Sequence, residues 1–228
     1  SCPSGEDIRG WLQIVRGIEQ PPEDMSMSEY AFRRSTSANP FPSQMGRVCP
    51  APCQSGCNRN EVDDYVGINA VEQFIGDKAI KEGYTFDPAP KLQKERVAII
   101  GGGPAGLSAA YQLRKMGYAS TIFEERKELG GMMRYGIPGY RTPRDLLDKE
   151  IERIINLGDI ELVLGKRVGK DVKLEDVEKS HDAVLWTIGC WNGKAIPVDG
   201  GDATNCITGV DFLEAFCDGR LKVGSKKV

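Results

Sequence analysis

Val97-Ala98-Ile99-Ile100-Gly101-Gly102-Gly103-Pro104-Ala105-Gly106 decides the fold of this 228-residue chain. Its first four residues are apolar without alternation, as a strand buried on both faces of a parallel sheet requires. The glycines that follow have G-x-G-x-x-G spacing and lead into a helix with Leu107, Tyr111 and Leu113 to Met116 at its apolar positions. In that setting Gly101 permits a tight turn, Gly103 lets a pyrophosphate approach the backbone, and Gly106 lets helix and strand pack closely. N–H groups at the helix start then face the phosphate charge. A second strand, Ser120-Thr121-Ile122-Phe123, ends in Glu124, 23 residues beyond Gly101, where an acid is expected to accept from a ribose hydroxyl pair. Together these are the first units of a Rossmann-like α/β fold, with Gly101, Gly103, Pro104, Ala105, Gly106 and Glu124 as nucleotide-binding candidates. Glu125 reads as a solvated charge, and an acid at Glu124 argues against a 2′-phosphate in this site.

Downstream, Gly130-Gly131-Met132-Met133 places paired glycines where a second approach of backbone to a bound FAD would need them, although a flexible loop is the alternative. Thr142-Pro143 supplies an N-cap and a first-turn proline for a helix carrying Leu146, Leu147, Ile151, Ile154 and Ile155, expected in the core. Ile160 to Leu164 and Ala183 to Ile188 read as further strands. His181, the chain's lone histidine, stands at a strand entrance and receives no catalytic role.

Upstream lies Gly46-Arg47-Val48-Cys49-Pro50-Ala51-Pro52-Cys53-Gln54-Ser55-Gly56-Cys57. Its C-x3-C-x3-C spacing, with Cys2-Pro3 at the chain start, offers Cys2, Cys49, Cys53 and Cys57 as thiolates that can converge on a [4Fe–4S] cluster. Gly46, Gly56 and the prolines suit a tightly turning loop. Zinc is the rival metal, a poor match to this spacing, and reduced thiols without metal remain open. Cys190, Cys206 and Cys217 show no ligand spacing and read as packing or surface thiols. The surrounding sequence is helical: Ile8, Trp11, Leu12 and Val15 share one face, a second helix runs Met27 to Ser37 before Asn39-Pro40-Phe41-Pro42, and Val71, Phe74, Ile75 and Ala79 mark a third. Pro50 and Pro52 are expected to keep the cysteine segment a loop.

Composition narrows the function. Thirty basic and 33 acidic residues are interspersed for a net charge of −3, which leaves no basic tract for nucleic acid and no polybasic membrane patch. No apolar run reaches the ~20 residues of a membrane span, and no signal-peptide layout opens the chain. Seven cysteines in a chain read as cytoplasmic favour metal or redox chemistry over disulfides.

GRVCPAPCQSGC, VAIIGGGPAGLSAAYQL and GGMMRYGIPGYRTP, in this order and spacing, resemble the small (β) subunit of NADPH-dependent glutamate synthase, and the module is similar to the N-terminal part of dihydropyrimidine dehydrogenase. The resemblance implies an α-helical N-terminal iron–sulfur domain, residues 1–90, followed by the first part of a Rossmann-like FAD-binding domain, residues 91–228. It implies that Cys2, Cys49 and Cys53 hold one cluster with Glu72 as fourth ligand, while Cys57 belongs to another. It implies FAD contacts from Gly103, Glu124, Gly130, Gly131, Met132, Arg141 and the backbone near Val168. The chain looks like a fragment, ending at Lys226-Lys227-Val228 where the family's nicotinamide domain would begin. The implied activity is hydride transfer from NAD(P)H to FAD, then electron transfer through [4Fe–4S] clusters to a larger catalytic subunit. The same module feeding a different oxidoreductase complex, and a non-catalytic iron–sulfur docking module, are the alternatives. No general acid or base is demanded, because the cofactors carry the chemistry.

Overall fold

The computed structural model describes residues 2–62, 64–194, 197–204 and 206–221; Lys226-Lys227-Val228 lie outside the described residues. Contacts group the chain into two units, Ser1–Ala89 with Thr142–Gly158, and Pro90–Arg141 with Asp159–Val228. Thr142–Gly158, read from sequence as part of the nucleotide-binding domain, thus groups with the helical unit.

In the helical unit, α1 (Ile8–Val15) is capped by Asp7, whose Oδ1 accepts from the Gly10 N–H at 3.0 Å, and α2 (Met27–Ser35) by Ser26, which accepts from Glu29 N–H at 3.1 Å. The second helix stops two residues short of the expected Ser37. Trp11 and Ile14 are fully buried, while Val15, expected on the inward face, is 37% exposed, because the stripe continues from Trp11 through i+3 at the helix end. Prolines open the next two helices, α3 (Pro42–Val48) and the single turn α4 (Pro52–Ser55). This corrects the loop reading of the cysteine segment: at the first helical position a missing N–H removes no bond, so Pro52 starts a turn. A 3₁₀ turn (Asn58–Glu61) and α5 (Ile68–Glu82) follow, the latter ended by Gly83 at φ +72°. Gly46, expected to turn a loop, instead lies in α3 at a close helix–helix approach, where a Cβ would sit 2.4 Å from the Gln73 backbone nitrogen. The core joins Trp11, Ile14, Ala31, Phe32, Ile68, Ile75 and Ala79; Phe74, expected among them, is 60% exposed.

α8 (Arg144–Ile155) completes this unit. Leu147, Ile151 and Ile154 are buried as expected. Its cap falls one residue later than the sequence suggests, on Pro143, while Thr142 Oγ1 accepts from Arg144 Nη1 at 2.9 Å. What draws α8 here is Glu150, fully buried, whose Oε1 and Oε2 accept from the backbone N–H groups of Ser43 and Gln44 at 2.7 and 3.0 Å. A carboxylate from α8 thereby caps α3.

In the nucleotide-binding unit, β1 (Arg96–Ile100), β2 (Ala119–Glu124), β3 (Ile160–Leu164) and β4 (Ala183–Trp186) form a parallel sheet in the order β3-β2-β1-β4. α6 (Pro104–Lys115) follows β1, with Leu107, Ala110 and Tyr111 buried; Met116, expected among its apolar positions, is exposed. α7 (Gly131–Tyr135), α9 (Leu174–Ser180) and α10 (Gly209–Cys217) are the remaining helices described. On one sheet face Ala98, Ile100, Phe123 and Val177 pack together, with Val163, Val168, Val172 and Val184 against them. His181 follows α9 and braces the sheet through Nε2, 3.0 Å from Thr121 Oγ1. Among the described residues no helix is long and apolar enough to cross a membrane.

Candidate cofactor-binding sites

The glycine loop sits at the carboxyl end of β1, where parallel sheets place their ligands. Gly101 has φ +111°, and a Cβ there would lie 2.4 Å from the Thr187 carbonyl oxygen. A Cβ on Gly106 would lie 2.0 Å from the Gly101 carbonyl oxygen. The chain itself therefore dictates both glycines. Gly103 differs. Its φ of −79° suits any residue, and the nearest heavy atom to an added Cβ is Gly131 Cα at 3.6 Å, an ordinary contact. Nothing within the described protein requires glycine there, whereas a group lying against the backbone would. From Gly103 the chain enters α6 through Pro104 at its first position, with Ala105 and Gly106 in the first turn, whose N–H groups have no intrahelical acceptor.

The paired glycines close on this loop. Gly130 N–H donates to the Gly102 carbonyl at 2.8 Å, and Gly131, at φ +48°, approaches so near that a Cβ would meet Gly103 Cα at 2.7 Å. Glu124, 7% exposed, accepts from Gly102 N–H at Oε2 (2.7 Å) and from Arg126 N–H at Oε1 (2.8 Å). Each oxygen keeps a second lone pair, so the acid is held in place with acceptor capacity for a diol. Met132 is half-buried in α7 and Arg141 is exposed in the turn closed by its N–H on Pro138. Val168 bridges to Val172 beside the sheet, just after Lys166 N–H bonds the Glu124 carbonyl at 3.1 Å.

Two residues here escaped the sequence reading. Thr187 Oγ1 donates toward the carbonyls of Ile100 and Gly101 at 3.1 and 2.9 Å, tying the end of β4 to the glycine loop. Its place after a parallel strand was the available signal. The Arg126 guanidinium lies 4.6 Å from the Tyr135 ring centre and 4.1 Å from that of Trp191, and Nη1 pairs with Glu214 Oε1 at 2.8 Å. No local pattern announces that stack.

In the helical unit, Cys49 caps α3, Cys53 lies in α4 and Cys57 precedes the 3₁₀ turn; with Cys2 they are free, half-buried thiols. Burial pushes the Cys53 thiol up, and the charges of Cys49 and Cys2 push it further, which puts these three in one electrostatic neighbourhood. Ala51, at φ +50°, aims its N–H at Cys49 Sγ, 3.4 Å away. Asn69 Nδ2 donates to the Cys49 carbonyl at 2.7 Å, and Asn60 Nδ2 to those of Gln54 and Ser55. A backbone N–H on sulfur within a braced thiol loop is what an iron–sulfur cluster uses to set its charge distribution, so these donors fit one in kind. Among the described residues, no group of three or more His, Cys, Asp and Glu side chains stands close enough to hold a metal ion. Glu72, 5% exposed in α5, accepts from Asn39 Nδ2 at 2.8 Å. Burial, and then the neighbouring Glu6, hold its carboxyl well above the usual range. Glu6 is raised too, chiefly by burial, and the two side chains hydrogen-bond. Neither Glu6 nor Asn39 is marked by the sequence as a partner of Glu72.

Residues 1–84 match the family described as dihydropyrimidine dehydrogenase domain II, 4Fe-4S cluster, and residues 99–144 match the NAD(P)-binding Rossmann-like domain. The NADPH-Fe(3+) oxidoreductase subunit beta of Geobacter sulfurreducens is 36% identical over all of this chain and 33% of its own length. The glutamate synthase [NADPH] small chain of Mycobacterium tuberculosis is 34% identical over 93% of this chain and 42% of its own. The chain thus spans between a third and a half of these relatives. Among solved structures, Mycobacterium tuberculosis FprA in complex with NADPH shares the fold with a TM-score of 0.50 and 22% identity, over 54% of this chain and 29% of that one. The chain is a homologue of the glutamate synthase small chains, with an N-terminal 4Fe-4S cluster domain followed by an NAD(P)-binding Rossmann-like domain.

Proposed function

We propose that this chain is the iron–sulfur and FAD-binding portion of an electron-input subunit that oxidises NAD(P)H and passes electrons to a larger catalytic partner, as in a glutamate synthase. The observation that carries the proposal is Gly103: its backbone is left bare without any need inside the protein, between a helix N-terminus and an acid held by two backbone N–H groups.

In this reading Gly101, Gly103, Pro104, Ala105 and Gly106 receive the pyrophosphate of FAD, and Glu124 accepts from the ribose hydroxyls with its unused lone pairs. Gly130, Gly131 and Met132 form the second wall, and Arg141 and the Val168 backbone complete the nucleotide contacts. Cys2, Cys49 and Cys53, with Glu72, hold one [4Fe–4S] cluster, and Cys57 serves another. When bound, FAD splits a hydride's electron pair into single electrons and the cluster carries them onward. The chain's own contribution is to bind, orient and set the local field: the Ala51 N–H favours charge at Cys49 sulfur, and Asn39 fixes the Glu72 carboxyl. Free cysteines at all seven positions suit a reducing compartment, the cytoplasm.

Similarity across the whole chain to a subunit of an NADPH-Fe(3+) oxidoreductase favours a second reading, in which the same module feeds a different partner. A docking module with a vestigial nucleotide fold would have no reason to keep Gly103 or the held acid. The test is NAD(P)H oxidation by the whole protein with an artificial electron acceptor. Turnover that disappears in Gly103→Val supports the proposal; no turnover in a protein loaded with flavin and iron would sink it. Co-purification of a glutaminase-bearing subunit, or of another oxidoreductase, then separates the two readings.

A further inference from the structure

Outside the cofactor sites, the helical unit holds a cleft of about 180 Å³ between the end of α5 and α8, lined by Ile80, Tyr84, Phe86, Lys149, Glu152 and Arg153 among others. Arg153 is its unusual member. It is 8% exposed, and its guanidinium lies over aromatic rings, 4.8 Å from the Phe32 ring centre and 5.7 Å from that of Phe86. Nη1 is buried and has no hydrogen-bond partner. An unpaired donor on a buried cation is uncommon, because the N–H has lost its water and the rings beside it, although they attract the charge, accept no such hydrogen bond. The other groups lining the cleft do not answer it. Lys149 and Glu152 pair with each other at 3.1 Å on the exposed side, and the Tyr84 hydroxyl is taken by Ser28 and Ser26 at 2.7 and 3.1 Å. Glu150, one turn back on α8, spends both oxygens on α3.

We infer that this cleft is a binding site for a small carboxylate, with Arg153 as its anchor. The charged groups lining it are Lys149, Arg153 and Glu152, one more cation than anion. A guanidinium presents paired N–H donors that match the two oxygens of a carboxylate, and the two rings beside it limit the directions from which that fork can be met. The volume admits a ligand of a few heavy atoms, since a water's share of liquid volume is about 30 Å³. The apolar wall of Ile80 and Phe86 would take a short aliphatic stem. The site is built from residues the electron-transfer reading does not use.

The test is ligand-observed saturation-transfer NMR on the iron-loaded chain with sodium acetate, then glutarate as competitor, at constant ionic strength against chloride. The expected result is saturable binding in wild type, at least ten-fold weaker in Arg153→Lys and absent in Arg153→Met, a similarly sized apolar replacement. Thermal unfolding and circular dichroism establish that both variants are folded. Binding that survives unchanged in folded Arg153→Met, or no saturable binding in wild type, overturns the site. Displacement by chloride at equal concentration overturns its selectivity for carboxylate.

Discussion

Gly103 and Gly106 stand three residues apart in one loop, yet their substitutions should fail differently. An alanine at Gly106 drives its methyl into the Gly101 carbonyl, 2.0 Å away, so Gly106→Ala should lower the melting temperature by several degrees, a cost of roughly 1–3 kcal/mol. Gly103→Ala meets only Gly131 Cα at 3.6 Å and should unfold within about 0.5 kcal/mol of wild type, while its flavin affinity falls at least ten-fold. Calorimetry beside flavin content after desalting checks both. The spacing of these glycines marked the loop in the sequence; what it could not say is which of them the chain itself requires, since that depends on Thr187 and Gly131, brought in from elsewhere. Glu124 was legible for the same reason as the glycines, by its place at the end of a strand. Glu6 and Asn39, which hydrogen-bond Glu72, were not, because partners so far away along the chain, 33 positions for Asn39, carry no local signature.

The helices show what periodicity leaves open. The apolar spacing of α8 says which face is buried but not against what, and the answer lies in a carboxyl: Glu150 accepts the first free N–H groups of α3. Replacing it by leucine leaves those two donors buried and unpaired, so Glu150→Leu should destabilise the helical unit by roughly 2–5 kcal/mol. Full burial pushes the Glu150 carboxyl up to about 8 from 4.5 despite its two donors. The folded state then holds a proton that the unfolded state releases across that interval, so stability should be highest near pH 4.5 and fall as pH rises toward 8. Glu6 and Glu72, both raised, push the same way. Denaturant titrations from pH 5 to 8 should therefore show a shallower decline in Glu150→Gln than in wild type; an equal slope would remove Glu150 from the account. Strands were easier to read: β1, apolar from Val97 on, and β3, apolar except for Glu161, fall within a residue of their expected bounds. Proline was harder, since Pro42 and Pro52 signal a break yet open helices, and only the fold of the following turn decides between the two.

Across the molecule, Cys2, Cys49, Cys53 and Cys57 lie in one contact unit and the glycine loop in the other. Loss of the cluster should accordingly leave flavin binding intact: Cys53→Ser is expected to lose iron while keeping its flavin, and Gly103→Val the reverse. Cys190→Ser, an exposed thiol in the nucleotide-binding unit, should change neither. The resemblance read from three sequence blocks is matched by relatives aligned over nearly the whole chain, whereas the partner is written in none of its residues. The central claim, that one chain carries both an iron–sulfur cluster and a flavin, is tested most directly by iron, acid-labile sulfide and flavin analysis after strictly anaerobic purification. About four iron and four sulfide per chain, falling sharply in Cys53→Ser, with FAD present in both, is the predicted result. Absence of iron under those conditions, or iron undiminished in Cys53→Ser, would contradict it.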